Sequence, residues 1–303
     1  MVTCTVAFAV GLLLDNIYKK RWDILWFKKT DELVNPNTNY AVIFLGNSRV
    51  HFAINPYYID SVTKFNSFNF GNGGADAQDI MLTLNIYLQN HKAPELVIIS
   101  LDPGIIMGNE ILKTRYHYLF YLNNDSVYRY MNKAGFLTTL IKIFPFTKYS
   151  FFDEYNRTSL FVKGKPYPEF NHNIYKGFLN IHQTVNSKLP NPYNADTSFK
   201  KISDTAIMYL KSTLTLLQQK GSKVVFVWPP LRNTARNKKT DIIRSSDSIF
   251  SRMANEYHIK QFNFENDELY KDEYFVDAIH FNEPGSRIYS MHLADSINSL
   301  YKK

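Results

Sequence analysis

Ser48 follows a short apolar run in a context that suits either the start of a helix or a nucleophile. The segment VIFLGNSRVHFAINP, residues 42 to 56, passes from apolar residues through Gly46 and Asn47 to Ser48. Gly46 permits a tight turn at the end of a strand, and a helix beginning at Ser48 would place its amide where partial positive charge favours an anion. An acyl-transfer nucleophile benefits from this position because its reaction passes through an oxyanion. Simple N-capping by Ser48 explains the same residues, so both interpretations stay open.

A second segment, DAIHFNEPGSRIY at residues 277 to 289, places Asp277 and His280 three positions apart, just before a predicted helix. Neutral imidazole accepts a proton from a hydroxyl at pH 7. A carboxylate bound to the other ring nitrogen holds the tautomer that this reaction needs. The pair therefore suits a general base and its orienting acid, although a capped loop with a chance histidine has the same pattern.

The third chemical segment is glycine-rich. In NFGNGGADAQD, residues 69 to 79, Gly71, Gly73 and Gly74 let the backbone approach a ligand closely. A dinucleotide-binding loop requires a third glycine in the G-x-G-x-x-G spacing, but Asp76 stands there and its carboxylate would repel a phosphate. The spacing disfavours a nucleotide-binding Rossmann protein, and an amide donor that faces the Ser48 loop fits better.

Alternating strands and helices must position these three segments. Apolar runs predict strands at residues 40 to 46, 64 to 71, 95 to 102, 222 to 230 and 259 to 266. Helical spacing predicts helices at residues 76 to 91, 202 to 221 and 240 to 258, and a last one after Asn282. This alternation predicts an α/β fold with three αβα layers around a parallel five-stranded sheet. Ligands of such sheets bind at the carboxyl ends of the strands, where Ser48 lies.

Residues 104 to 200 interrupt this rhythm, because they are rich in Tyr, Phe, Asn and Pro and have poor periodicity. They are predicted to form a large insertion after the third strand, as a cap, a groove wall or a binding face. The aromatic content of 16% suits a sugar-binding groove or an ordinary core. We therefore predict one large domain over residues 38 to 303 that carries this insertion.

The N-terminal residues suggest contact with a membrane. Residues 1 to 14 carry no charge, and the next fifteen mix Trp22, Trp26 and Phe27 with lysine and arginine. Fourteen residues are fewer than the about 20 that span a bilayer, and neither a basic n-region nor a cleavage site of a signal peptide is evident. Aromatic and basic residues beside an apolar stretch are typical of a membrane interface. Residues 1 to 30 are predicted to be a membrane-anchor or juxtamembrane helix, with a buried N-terminal helix as the alternative.

Composition narrows the classes of function. A net charge of +8 and a pI of about 9.2 suit either an anionic partner or an ordinary basic surface. Nucleic acid is disfavoured as a partner because the sequence has no RNP motif, zinc-finger spacing or long basic helix. Cys4 is the only cysteine, which excludes an intrachain disulfide and a cysteine-based metal site.

Together, the three segments resemble the motif blocks of the SGNH (GDSL-like) hydrolase superfamily. Ser48 in FLGNSR matches the first block, where GDS or GSS is usual; NFGNGG matches the second, and DAIHFNEPGSRI matches the final D-x-x-H block. The resemblance runs from about residue 40 to the C-terminus, apart from the insertion. It implies a flavodoxin-like sheet, with Ser48 as nucleophile, His280 as base, Asp277 as its partner and Gly74 as an oxyanion donor. It implies no metal or organic cofactor.

The chain departs from that pattern in the third block, which normally supplies an asparagine as a further oxyanion donor. Here the strand end reads SLDPG, and Asp102 falls in that region. An ionised carboxylate would repel an oxyanion. Either Asn47, Asn72 or Asn109 replaces the missing donor, or the oxyanion hole is weaker, at a typical cost of about 3 kcal/mol in transition-state stabilisation.

Within the superfamily, the chain looks most like membrane-anchored proteins that act on cell-envelope polymers, such as the D-alanyl transfer protein of teichoic acid modification and the alginate O-acetyltransferases. This similarity implies a serine-dependent esterase or O-acyltransferase that acts on acyl esters of envelope or extracellular polysaccharide. Arg49 would then hold an anionic group, or form an ordinary surface ion pair.

The alternative is a catalytically weak or inactive binding or assembly protein that partners a membrane acyltransferase. Both functions imply a periplasmic or extracellular domain, whereas the basic residues after position 14 favour a cytoplasmic one by the positive-inside rule.

Overall fold

The computed structural model describes residues 2–21, 27–34, 38–107, 118–132, 136–151, 175–179, 201–233 and 241–302. The chain divides into two compact units. Unit 1 comprises Met1–Asn37, Asn85–Asn90 and Glu110–Phe170. Unit 2 comprises Thr38–Leu84, His91–Asn109 and Asn171–Lys303, and it contains the sheet.

The sheet has five strands, all parallel, in the order β2-β1-β3-β4-β5. The strands are β1 (Val42–Leu45), β2 (Ser67–Asn69), β3 (Leu96–Ser100), β4 (Lys223–Trp228) and β5 (Lys260–Asn263). The order 2-1-3-4-5 is that of flavodoxin-like folds. The predicted three-layer αβα fold is confirmed, and each strand lies within the run of sequence that predicted it.

The α-helices follow the strands as the alternating sequence pattern predicted. They are α1 (Val2–Arg21), α2 (Phe27–Val34), α3 (Ser48–His51), α4 (Pro56–Thr63), α5 (Ala77–Asn90), α6 (Pro103–Met107), α7 (Asp125–Met131), α8 (Phe136–Ile143), α9 (Asp204–Gln219), α10 (Asp241–Glu256) and α11 (Glu283–Ser299). Short 3-10 helices lie at Pro145–Phe151 and Asp272–Tyr274.

Both faces of the sheet are buried, which explains why its inner strands read as continuous apolar runs. Val42 and Phe44 of β1 belong to a core cluster that also contains residues of α4 and α11. Ile43 and Leu45 point to the opposite face and are also buried. The edge strand β5 is more polar and more exposed than the others, as edge strands commonly are.

Helix α11 is fixed against α4, and this places the loop before it. Asn282 is the N-cap of α11, with its Oδ1 atom accepting a hydrogen bond from the amide of Gly285 at 3.1 Å. The hydroxyl of Ser290 accepts a hydrogen bond from the amide of Asn55 at 2.8 Å. Tyr289, Leu293 and Ile297 bury the inner face of the helix. The start of α11, and the loop that leads into it, therefore have a defined position at the sheet edge.

The predicted insertion lies between β3 and β4. Its described parts contain helices and one isolated bridge, between Tyr175 and Phe178, and no strand. Segment 175–179 packs beside β2 and α3. The amide of Asn69 donates to the carbonyl of Lys176 at 2.9 Å, and the amide of Leu179 donates to the carbonyl of His51 at 3.1 Å. Residues 152–174 and 180–200 of the predicted insertion lie outside the described residues.

Unit 1 contains α1 and α2, which fall in the predicted anchor segment. The Nζ atom of Lys148 lies 2.6 Å from an Asp15 carboxylate oxygen and so joins the 3-10 helix Pro145–Phe151 to α1. Among the described residues, no helix combines the length and the hydropathy needed to cross a bilayer. The aromatic residues Trp22 and Trp26 lie outside the described part of the chain.

A buried asparagine joins β2 to the segment after Ser48. Asn69 is 0% exposed, and its Nδ2 atom donates to the carbonyls of Val50 at 2.8 Å and Ile54 at 2.7 Å. Its Oδ1 atom accepts from the amide of Gly71 at 2.9 Å. One side chain thus fixes α3 against the glycine-rich loop.

We predict that Asn69→Ala lowers the free energy of unfolding by about 2–4 kcal/mol, because it removes three buried hydrogen bonds, among them the bond to the Ile54 carbonyl. Chemical denaturation measures this loss. Ser61→Ala, which removes an exposed hydroxyl bonded to the Tyr58 carbonyl, is the control and should stay within about 0.5 kcal/mol of the parent. Equal midpoints for the two variants would contradict the bridging role.

Candidate active site

The three motif segments converge on a chain of hydrogen bonds. The Oγ atom of Ser48 lies 2.8 Å from Nε2 of His280, and Nδ1 of His280 lies 2.7 Å from Oδ2 of Asp277. These are the contacts expected between a nucleophile, a base and the group that orients the base. The His280 and Asp277 side chains are each 21% exposed, so these hydrogen-bonded groups are partly shielded from water but open to a ligand.

Asn47, and not Ser48, caps helix α3. The Oδ1 atom of Asn47 accepts a hydrogen bond from the amide of Arg49 at 3.0 Å, and Ser48 is the first residue of the helix. Capping therefore uses the Oδ1 atom of Asn47 and leaves the Ser48 hydroxyl for His280. Gly46 has φ of 150°, and a Cβ there would lie 2.6 Å from Val50 Cγ2. The turn therefore requires a glycine.

The loop that carries Asp277 and His280 is held by its own hydrogen bonds. Oδ1 of Asp277 accepts from the amides of Ile279 at 2.8 Å and His280 at 2.9 Å, which leaves Oδ2 for the imidazole. Burial raises the pKa of Asp277, but the hydrogen bond and charge of His280, with the two amides, outweigh it and lower this pKa below its usual value. The carboxylate is therefore held ionised beside the imidazole.

Phe52 forms an aromatic wall beside His280, and the sequence did not predict it. Its ring centroid lies 5.6 Å from that of His280 with an interplanar angle of 88°, and 4.6 Å from that of His51. The only sequence signal is its position four residues after Ser48, which is one helical turn. An edge-to-face contact of this kind fixes the imidazole ring plane and offers an apolar surface next to it.

The glycine-rich loop lies directly beside the Ser48 turn. The amide of Asn72 donates to the carbonyl of Gly46 at 3.0 Å, which continues the pairing of β1 with β2. Gly74 lies in an exposed turn with φ of 71°. The Asn72 side chain belongs to a residue that is only 9% exposed, and its Oδ1 atom has no hydrogen-bond partner within the described parts of the chain. A buried amide without a partner is costly unless a ligand uses it.

Arg49 and Asp102 form an internal ion pair. Nη1 of Arg49 lies 3.5 Å from Oδ2 of Asp102, and the two residues are 4% and 5% exposed. Nη2 of Arg49 donates to the carbonyls of Pro229 at 2.8 Å and Pro230 at 3.0 Å, while Oδ1 of Asp102 accepts from the amide of Gly104 at 2.8 Å. Arg49 thus joins the ends of three strands.

This pair corrects two expectations from the sequence. Arg49 neither forms an ion pair at the surface nor offers its guanidinium to an anionic group, because the guanidinium is buried and bound to Asp102 and to two proline carbonyls. Asp102 does not present an uncompensated charge to the site, because Arg49 lies against it. Asn109, a third possible oxyanion donor, lies outside the described residues. In the part of the chain that is described, no group of His, Cys, Asp or Glu side chains is arranged to hold a metal ion.

Comparison with known proteins gives structural similarities only. No protein-family model matches the sequence, and no curated protein matches it. Similar solved structures include an acetyl xylan esterase, with TM-score 0.44, 13% identity and coverage of 86% of this chain and 98% of the other. The lipase/acylhydrolase from Enterococcus faecalis has TM-score 0.42 and 10% identity, covering 86% and 96%. A member of the lipolytic protein G-D-S-L family from Veillonella parvula has TM-score 0.43 and 12% identity, covering 85% and 97%.

The Arg49–Asp102 pair gives a prediction about stability. Arg49→Met should lower the free energy of unfolding by about 3–5 kcal/mol, because it leaves a buried carboxylate without its cation. Adding Asp102→Asn removes that charge and keeps an acceptor for the Gly104 amide, so the double variant should be more stable than Arg49→Met alone. Denaturant titration of both single variants and the double variant measures the coupling. Strictly additive effects would show that the two side chains do not interact.

Proposed function

We propose that the chain is a serine-dependent esterase or O-acyltransferase of the SGNH type, with Ser48, His280 and Asp277 as its catalytic residues. The observation that supports it most is the unbroken contact from the Ser48 hydroxyl through His280 to Asp277, at 2.8 and 2.7 Å. This arrangement combines a nucleophile with a base already in hydrogen-bond reach.

In the first half of the proposed reaction, Nε2 of His280 takes the proton of Ser48 while Oγ attacks the ester carbonyl. Asp277 accepts the Nδ1–H hydrogen bond and stabilises the imidazolium that forms. His280 then gives its proton to the departing alcohol oxygen, the ester C–O bond breaks, and an acyl-serine remains.

In the second half, His280 deprotonates water or an acceptor hydroxyl, which attacks the acyl-serine. Collapse of the intermediate releases the acid or the new ester, and the proton on His280 returns to Ser48 Oγ. Water gives an esterase, and a sugar hydroxyl gives an O-acyltransferase.

The oxyanion in both halves would be held by donors from the β1 and β2 loops. The Ser48 amide, at the first position of α3, donates to no acceptor among the described residues. Gly74 supplies a second amide, as the resemblance implies. We assign the third donor to the Nδ2 atom of Asn72, because this side chain makes no hydrogen bond to the described residues and the Asn72 backbone is bound to the Ser48 turn. Asp102 is unsuitable as a donor, since it is a carboxylate paired with Arg49.

The proposed substrates are acyl esters of envelope or extracellular polysaccharide. The resemblance of the sequence motifs to those of envelope-polymer enzymes supports this class of substrate, and the net charge of +8 suits an acidic polymer. Phe52 supplies an apolar wall against which an acyl group or a sugar face can pack. The alternative of an inactive binding protein depended on Asp102 repelling the oxyanion, and the Arg49–Asp102 ion pair weakens that reason.

Ser48→Ala and His280→Ala should each lower kcat/KM for p-nitrophenyl acetate and for an acetylated glycan by at least about a thousandfold, because each removes a group that takes part in every turnover. A fluorophosphonate probe should label Ser48 in the parent and not in Ser48→Ala. Ser61→Ala and His258→Asn, at exposed positions, are matched controls and should keep parental activity.

Esterase activity that survives both active-site substitutions would reject the catalytic assignment. A folded parent that turns over neither ester and resists the probe would instead favour the binding-protein alternative.

Asn72→Ala should lower kcat about a hundredfold to a thousandfold with little change in KM, because an oxyanion donor acts mainly in the transition state. Its thermal stability should not fall, since the side chain makes no hydrogen bond within the described residues. Kinetics and a melting curve on the same sample separate the two effects. Asn66→Ala, which removes a half-buried amide bonded to the Asn39 carbonyl and to Lys176, is the control for kcat. A loss of stability that accompanies unchanged kcat would show a structural role instead.

A further inference from the structure

Unit 1 presents an apolar surface that its own described residues do not cover. Five large apolar side chains of α1 are 47–60% exposed. Three more lie at the end of α8 and in the residues that follow it, up to the start of the 3-10 helix. We call these eight side chains the apolar surface of unit 1: Val6, Phe8, Val10, Leu12, Leu13, Ile143 (61% exposed), Phe144 (41%) and Phe146 (40%). Contiguous exposed apolar surface in a folded protein marks a site of interaction.

The two parts of this surface are held together. A Cβ at Gly11 would lie 3.5 Å from the backbone nitrogen of Phe146, so α1 approaches the 3-10 helix closely on its glycine side. The Lys148–Asp15 ion pair fixes the same contact, and Lys148 is only 2% exposed. Ile143 and Phe144 immediately precede this contact. The eight side chains therefore belong to one structural element.

The distribution of exposed side chains around α1 indicates what covers them. With 3.6 residues per turn, Phe8 and Leu12 lie about 60° and 100° to one side of Gly11, and Val10 lies about 100° to the other. Val6 and Leu13 lie on the back of the helix, opposite Gly11. A protein groove covers one side of a helix, whereas these positions occupy both flanks and the back. A helix that is apolar on all sides is usually surrounded by protein core or by lipid.

We propose that α1 and segment 143–146 insert into the apolar part of an anionic lipid bilayer. The sequence places Lys19, Lys20 and Arg21 at the end of α1, and exposed Lys142 directly precedes Ile143. Basic residues next to inserted apolar side chains bind anionic headgroups. The net charge of +8 opposes association with a second copy and favours a negative surface. This surface does not depend on the proposed catalytic function.

Co-sedimentation with vesicles of equimolar phosphatidylcholine and phosphatidylglycerol tests the proposal, with phosphatidylcholine vesicles in parallel. The parent should bind the mixed vesicles more tightly, and salt should weaken that binding. Phe8→Glu combined with Leu13→Glu should reduce the partition coefficient about tenfold or more, because two apolar side chains are lost from lipid. Ile143→Glu combined with Phe144→Glu should act in the same direction. Met208→Glu, at a side chain of α9 that is 55% exposed, is the matched control and should bind as the parent does.

Circular dichroism and a melting curve check that each variant is folded, as expected for exposed positions. Vesicle binding that is equal in the parent and both double variants would overturn the proposal, and so would a parent that does not sediment with either vesicle. Dimerisation of the parent that the substitutions abolish, without vesicle binding, would assign the surface to a second copy. A variant that unfolds would show that the substituted side chains are buried, and would also overturn it.

Discussion

The hydrogen bond between Ser48 Oγ and His280 Nε2 joins residues 232 positions apart, and the chemistry of the site depends on it. This hydrogen bond is too weak to set the positions of the two residues, because one hydrogen bond contributes only about 1 kcal/mol of net stability. Their separation is set instead by the buried parallel sheet, which fixes the end of β1, and by α11, which is packed against α4 and fixes the loop before it. Two large apolar interfaces thus place two small polar groups to within hydrogen-bond distance.

Local hydrogen bonds then determine which atoms are available for reaction. At the start of α3, Asn47 Oδ1 accepts from the amide of Arg49, so the Ser48 side chain is not needed as a cap. In the second loop, two backbone amides bind one oxygen of Asp277 and direct the other to His280. In the first loop the backbone amide is capped by Asn47 and not by the Ser48 hydroxyl. In the second, the amides bind Oδ1 of Asp277 and not the Oδ2 atom that bonds His280. This division explains how a helix cap and a hydroxyl bonded to His280 occur in neighbouring residues.

Much of this arrangement is readable from sequence because its signals are local. Apolar runs predicted the strands, and Asn282 correctly marked the start of α11, since a cap and its helix are adjacent in the chain. The contact of Arg49 with Asp102 was not predictable in this way, because it joins the ends of β1 and β3 and no spacing encodes which strand ends meet. Phe52 was missed because an aromatic residue one turn after a serine is common in helices. The insertion gave no clear prediction of elements because its aromatic residues lack the period of a helix or a strand.

The ion pair at the ends of β1 and β3 makes the two sides of the Ser48 turn chemically different. A buried arginine bound to Asp102 and to two proline carbonyls occupies the β3 and β4 side of the Ser48 turn with groups that are already paired. The β2 side has the opposite character, since Gly74 lies in an exposed turn there and the Asn72 side chain makes no hydrogen bond to the described residues. A developing negative charge can use the Gly74 amide or the Nδ2 donor of Asn72, neither of which would have to give up a side-chain partner on the described chain. In the proposed reaction, a bound ester would therefore place its carbonyl oxygen toward the β2 loop, and its leaving group would lie on the side of His280, the proposed proton donor.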